Sequence, residues 1–107
     1  MEIYPENIPE IELAVSRYFD ADEPAKGKNS LTYDQFFNRL RHLLEYLLRS
    51  NQERLWQGLY RIDVPEEKVK QAYAAGSIHE ISEKLAVLII NREAQKAELR
   101  KKYSSKN

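Results

Sequence analysis

Apolar residues recur along the chain with a period near 3.6, and their clearest run predicts a helix over about residues 33–49. There Tyr33, Phe36, Phe37, Leu40, Leu43, Leu44, Leu47 and Leu48 keep i, i+3, i+4, i+7 spacing against a polar opposite face. The same spacing places a first helix at about 9–20, where Ile8, Ile11, Val15, Tyr18 and Phe19 form one stripe and Pro9 suits the first turn. Residues 51–62 carry two adjacent stripes, Leu55/Leu59/Ile62 and Trp56/Tyr60, the pattern of a helix covered on more than one side and expected to be central. The stripe of 33–49 runs on in phase through Leu55 and Ile62, so one kinked rod is the alternative, but Ser50 and Asn51 favour a break. A short helix over 65–75 follows, with Glu66 and Glu67 in its first turn, where the helix dipole favours acids, and Gly76 free to end it in a left-handed conformation. The last helix spans 78–103 along Ile78, Ile81, Leu85, Leu88, Ile89, Leu99 and Tyr103.

The polar positions mark the starts. A small polar residue, two spacers and an acid or amide occur five times, at Asn7/Glu10, Thr32/Gln35, Ser50/Glu53, Asp63/Glu66 and Ser77/Glu80. In that arrangement the N-cap side chain accepts from the N3 amide while the Glu or Gln reaches back to the N-cap amide. The expected fold is therefore all-α, a compact bundle of four to five helices. Residues 1–103 form its single domain, 20–30 a surface loop and 104–107 a frayed tail.

One element breaks the simple amphipathic pattern. In the last helix Ala86, Val87, Ile90, Ala94 and Ala97 lie away from the main stripe, so residues 85–90 are apolar nearly all round. Such a helix is buried, either by another helix of the chain, such as the first, or by a partner. Those five residues are accordingly the candidate protein interface, and self-association as a homodimer through this helix is the expectation that follows.

A length of 107 residues allows one core and not two. With 42% hydrophobic and 32% charged residues the chain sits among soluble helical proteins. The absence of cysteine removes disulfides, thiolate metal sites and cysteine nucleophiles, and makes the cytoplasm the simplest compartment. The opening MEIYPENIPE has no apolar run to serve as a secretory signal, and the longest apolar run, Leu85 to Ile90, is too short to span a bilayer. Net charge is zero but unevenly placed: residues 1–24 hold seven acids and one base, and residues 92–107 hold two acids and six bases. The oppositely charged ends can attract one another, and non-specific nucleic-acid binding by the whole domain is not favoured.

From Leu59 onward, LYRIDVPEEKVKQAY followed by ISEKLAVLIINREAQKAELRKKY resembles a group of small uncharacterised bacterial proteins, over roughly residues 59–103. The resemblance implies a bacterial source and brings no catalytic or binding residues with it.

Candidate chemistry is sparse. His42 and Glu45 stand three apart on a helix, but di-iron bundles place Glu before His and need two such motifs with two further glutamates. His42 lies opposite the Phe36/Leu40/Leu44 stripe, and His79 sits in a first turn beside Glu80, so both read as surface residues. No serine lies in a nucleophile elbow, and Gly27, Gly58 and Gly76 are too isolated to cradle phosphate. Asp20-Ala21-Asp22-Glu23 begins like a calcium loop, then supplies Pro24 and Ala25 where a ligand and the turning glycine belong. Tyr60 to Lys70 has the outline of a helix-turn-helix, but its second helix would meet phosphates with Glu66 and Glu67. Lys96, Arg100, Lys101, Lys102 and Lys106 form a basic tail that can contact an acidic partner or nucleic acid, although bases also suit a helix carboxyl end. The expectation is a non-catalytic interaction or structural module with no cofactor, no metal and no small-molecule substrate. The alternative is a nucleic-acid-binding protein using the 51–75 hairpin or the basic tail.

Overall fold

The structure, a computed structural model, describes residues 7–21 and 32–104. Its described residues form five helices: α1 (Ile8–Tyr18), α2 (Tyr33–Ser50), α3 (Gln52–Ile62), α4 (Glu66–Tyr73) and α5 (Ile78–Ser104). The all-α reading holds, with ends within two residues of those expected. Most of the expected loop at 20–30, and residues 105–107 of the expected frayed tail, lie outside the described residues.

Two of the five expected starts are made by the residues that the pattern named. At Thr32 the hydroxyl accepts from Gln35 N–H at 3.2 Å and Gln35 Oε1 accepts from Thr32 N–H at 2.9 Å, a complete capping box. At Ser77 the hydroxyl accepts from Glu80 N–H at 3.1 Å, while the Glu80 carboxylate accepts from the Ser77 hydroxyl at 3.2 Å rather than from the Ser77 backbone N–H. The break between α2 and α3 is real but displaced by one residue. Asn51, extended at φ −158°, caps α3 by accepting from Arg54 N–H at 3.1 Å, whereas Ser50 is the last residue of α2 and donates back to Tyr46 O.

The other two starts are corrected. Asn7 makes no side-chain cap because its backbone already has helical angles, at φ −87° and ψ −15°, where a capping residue is extended. Asp63 ends α3 instead of opening α4: it takes the left-handed conformation at φ 68°, its N–H reaches Tyr60 O, and Val64 N–H reaches Leu59 O at 3.3 Å. That is a Schellman closure, in which a short polar side chain tolerates the angles that usually call for glycine. Pro65 is the residue before α4.

α5, rather than α3, is the central element. It packs most extensively on α2, then on α4, α3 and α1. Leu44, Leu47, Leu55, Ile62, Leu85 and Ile89 are fully buried where these helices meet. Each such aliphatic side chain contributes about 1.5–3 kcal/mol on burial. α1 lies across the carboxyl half of α5 in the opposite sense, since Glu10 reaches Arg100 while Tyr18 reaches Lys96. Its Ile8, Ile11, Val15 and Phe19 all enter the core. Arg54 of α3 fastens the end of α1, donating to Phe19 O and Asp20 O.

The second apolar face of α5 is closed by this packing. Ala86, Ile90, Ala94 and Ala97 are buried within the chain, and only Val87, 43% exposed, remains of the five residues expected to form an interface. The strip is core, and the expectation of a homodimer sealed by it is set aside. Small side chains there let neighbouring helices approach closely, and such packing within a single chain leaves the same sequence trace as an intermolecular seam. Among the described residues no helix is long and apolar enough to cross a membrane.

Candidate partner-binding surface around the fourth helix

α4 is eight residues long and rests on the bundle through Val69 and Ala72, leaving a hollow along each flank. Its position is set by the turn before it. Arg92 of α5 donates from Nε to Asp63 O at 3.2 Å and from a terminal nitrogen to the Asp63 carboxylate at 3.3 Å, which holds the Schellman turn against the bundle.

The flank facing α3 is aromatic. Trp56, Leu59, Tyr60, Val64 and Val69 border a hollow of about 580 Å³, with Gln57, Arg61 and Glu66 at its rim. Trp56 stacks on Tyr73 of α4 with ring centroids 5.4 Å apart and planes at 22°. Tyr60, one turn on from Trp56, is 86% exposed. The Tyr73 hydroxyl is buried with no hydrogen-bond partner, and burial pushes its pKa up. Trp56 and Tyr60 belong to the second stripe of the 51–62 helix, which the sequence pattern assigns to burial.

The flank facing α5 is polar and cationic around an apolar floor. Two adjoining hollows of about 560 and 450 Å³ share Lys68 and Leu88. Towards the turn they are bordered by Asp63, Asn91, Arg92 and Gln95, and in the other direction by Gln71, Lys84 and Val87. Val64 borders both this groove and the aromatic one. The sequence carries a signal for this flank in its spacing and not in any motif: Lys84, Asn91 and Gln95 are spaced seven and four apart, a polar seam beside the apolar Val87 and Leu88.

A second polar cluster lies where α2 meets the start of α5. Arg41 donates to Glu45 at 2.7 Å and lies 3.2 Å from His79 Nδ1 and 3.3 Å from His42 Nε2. Arginine only donates, so both imidazole nitrogens accept, and His79 turns its Nε2 towards Glu83 at 2.9 Å. Arg49, hydrogen-bonded to Glu45 at 3.1 Å, and then Arg41 hold the Glu45 carboxyl below its usual range against the opposing effect of burial. The cluster joins the two histidines through Arg41, which the sequence spacing did not reveal. With Glu45 engaged by two guanidinium groups, its chemistry is that of a structural tie.

The basic tail is partly committed inside the chain. Lys96 pairs with the buried Glu93 at 3.0 Å, lies 3.3 Å from the Tyr18 hydroxyl and sits over the Tyr18 ring at 5.1 Å from its centroid. Arg100 pairs with Glu10. Lys101 and Lys102 are exposed, and Lys106 lies outside the described residues. No group of three or more metal-ligating side chains is arranged to hold an ion among the described residues. No protein-family model, curated protein or solved structure matches the chain, so its own surface chemistry has to support a functional reading.

Proposed function

We propose that this chain is a non-catalytic interaction module that docks a partner protein on the face around α4. The observation that carries the reading is the pair Trp56 and Tyr60, large rings that border a hollow of about 580 Å³, with Trp56 42% and Tyr60 86% exposed. Rings of this kind dominate binding energy at interfaces because they bring large apolar area with little side-chain entropy to lose. A nucleic-acid role for the α3–α4 hairpin is opposed by Glu66 and Glu67, both exposed in the first turn of α4. The internal pairing of Lys96 and Arg100 weakens the same role for the tail.

The test is affinity capture from the native host with wild type, Tyr60→Ala and Tyr46→Ala, the last removing a ring that is 60% exposed on α2. The co-purifying proteins are expected to be lost with Tyr60→Ala and kept with Tyr46→Ala, with unchanged circular dichroism in both. Retention by Tyr60→Ala, or equal loss in both variants, removes the reading.

A further inference from the structure

The groove between α4 and α5 differs in chemistry from the aromatic flank. Its charged border comprises three cations, Lys68, Lys84 and Arg92, against one carboxylate, Asp63, already bonded to Arg92. Among the described residues Lys68 and Lys84 have no ion-pair partner, and the side-chain amides of Gln71 and Asn91 make no hydrogen bond. Val87, 43% exposed, and the half-buried Leu88 form the floor. From Lys84 to Gln95 the helix advances roughly 16 Å at about 1.5 Å per residue. An extended chain of roughly five residues, at about 3.3 Å each, covers that length.

We propose that this groove takes an extended acidic segment of a partner protein, its carboxylates meeting Lys68 and Lys84 and its apolar side chains resting on Val87 and Leu88. The inference rests on the reading of the α4 face as a docking surface and names the chemistry of what docks there. Alternation in an extended chain sends successive side chains to opposite sides, so a segment alternating acids with aliphatic residues satisfies rim and floor together. The free amides of Gln71 and Asn91 suit its backbone N–H and C=O groups. Nucleic acid is a poorer occupant, because the groove's described lining offers no aromatic ring for a base to stack on. A second copy is poorer too. The acids Glu10 and Glu12 of its first helix are paired with Arg100 and Arg39 of the same chain, and an end-to-groove contact between copies would propagate rather than close.

The experiment is fluorescence anisotropy of a labelled, capped peptide alternating glutamate and leucine, titrated with the full chain at low and high salt. Micromolar binding is expected, weakening with salt, about tenfold weaker for the glutamine–leucine counterpart and about tenfold weaker in the double variant Lys68→Glu/Lys84→Glu. Lys68→Gln/Lys84→Gln, which adds no new charge, is expected to weaken it in the same direction, with circular dichroism unchanged. Equal binding by all three proteins overturns the proposal. So does tighter binding of an oligothymidine than of the peptide, or a wild-type self-association abolished by the double variant. Tyr60→Ala serves to separate the two readings. If the glutamate–leucine peptide fails to bind while Tyr60→Ala still empties the affinity capture, this inference falls and the interaction surface stands. If the peptide binds but Tyr60→Ala changes nothing in the capture, the groove assignment stands and the aromatic flank is withdrawn.

Discussion

Gly58 and Gly76 are required for different reasons. A Cβ on Gly58 would clash with the edge of the Phe19 ring, so this glycine is the socket by which α3 accepts the end of α1. Gly76 has open space around it but a φ of +98°, which ends the link from α4 to α5 in a conformation that L side chains avoid. Gly58→Ala is expected to cost about 1–3 kcal/mol by overpacking, and Gly76→Ala about 1–2 kcal/mol by backbone strain alone. Urea unfolding measures both, and a near-neutral Gly58→Ala would mean that Phe19 is seated elsewhere. The positive φ of Gly76 is legible in the sequence because it is local. The expectation that Gly76 ends the helix is corrected: α4 stops at Tyr73 with Ala74 as a right-handed C-cap, and Gly76 turns the link beyond it. The role of Gly58 is not legible in this way, since it depends on a ring 39 positions away in the chain. Arg41, which draws His42 and His79 together, was hidden for the same reason. Its neighbour Glu45 has a lowered pKa, so the stabilisation from its arginine pairs is present above its usual value of 4.5 and is lost as pH falls through the lowered one.

Among the helices, periodicity located all five elements, while the five capping patterns overstate how many boxes are made. The pattern is necessary for a box but not sufficient, because the N-cap residue must also be extended. Thr32, at φ −70° and ψ 164°, meets that condition and Asn7 does not. Asn51 supplies the cap expected of Ser50 because the chain turns one residue later. Thr32→Ala and Asn51→Ala should therefore each lose about 1 kcal/mol, and Ser50→Ala should be close to neutral, as read from shifts in thermal midpoint. An equal loss at Ser50 would put the start of α3 back at the position that the pattern named. The surface around α4 was the least legible element, because periodicity gives the face a helix would bury but not whether a neighbour covers it. Trp56 and Tyr60 carry a burial pattern and stay exposed.

At the scale of the whole molecule, the second apolar face of α5 is closed by its own chain apart from Val87, and the two flanks of α4 carry the candidate docking chemistry. Light scattering is expected to give a mass near the 12.6 kDa of one chain. Ile90→Lys, placing a charge at a position 2% exposed, is expected to abolish helical circular dichroism rather than release a folded monomer. A wild-type dimer split by Ile90→Lys into folded monomers would restore the strip of Ala86, Ile90, Ala94 and Ala97 as an interface. The docking face itself is tested most directly by hydrogen exchange with mass spectrometry on the free chain and on the chain in its captured assembly. Added protection is expected in segments covering 52–73 and 84–95, with 33–50 unchanged. Protection confined to α2, or none around α4, would contradict the account.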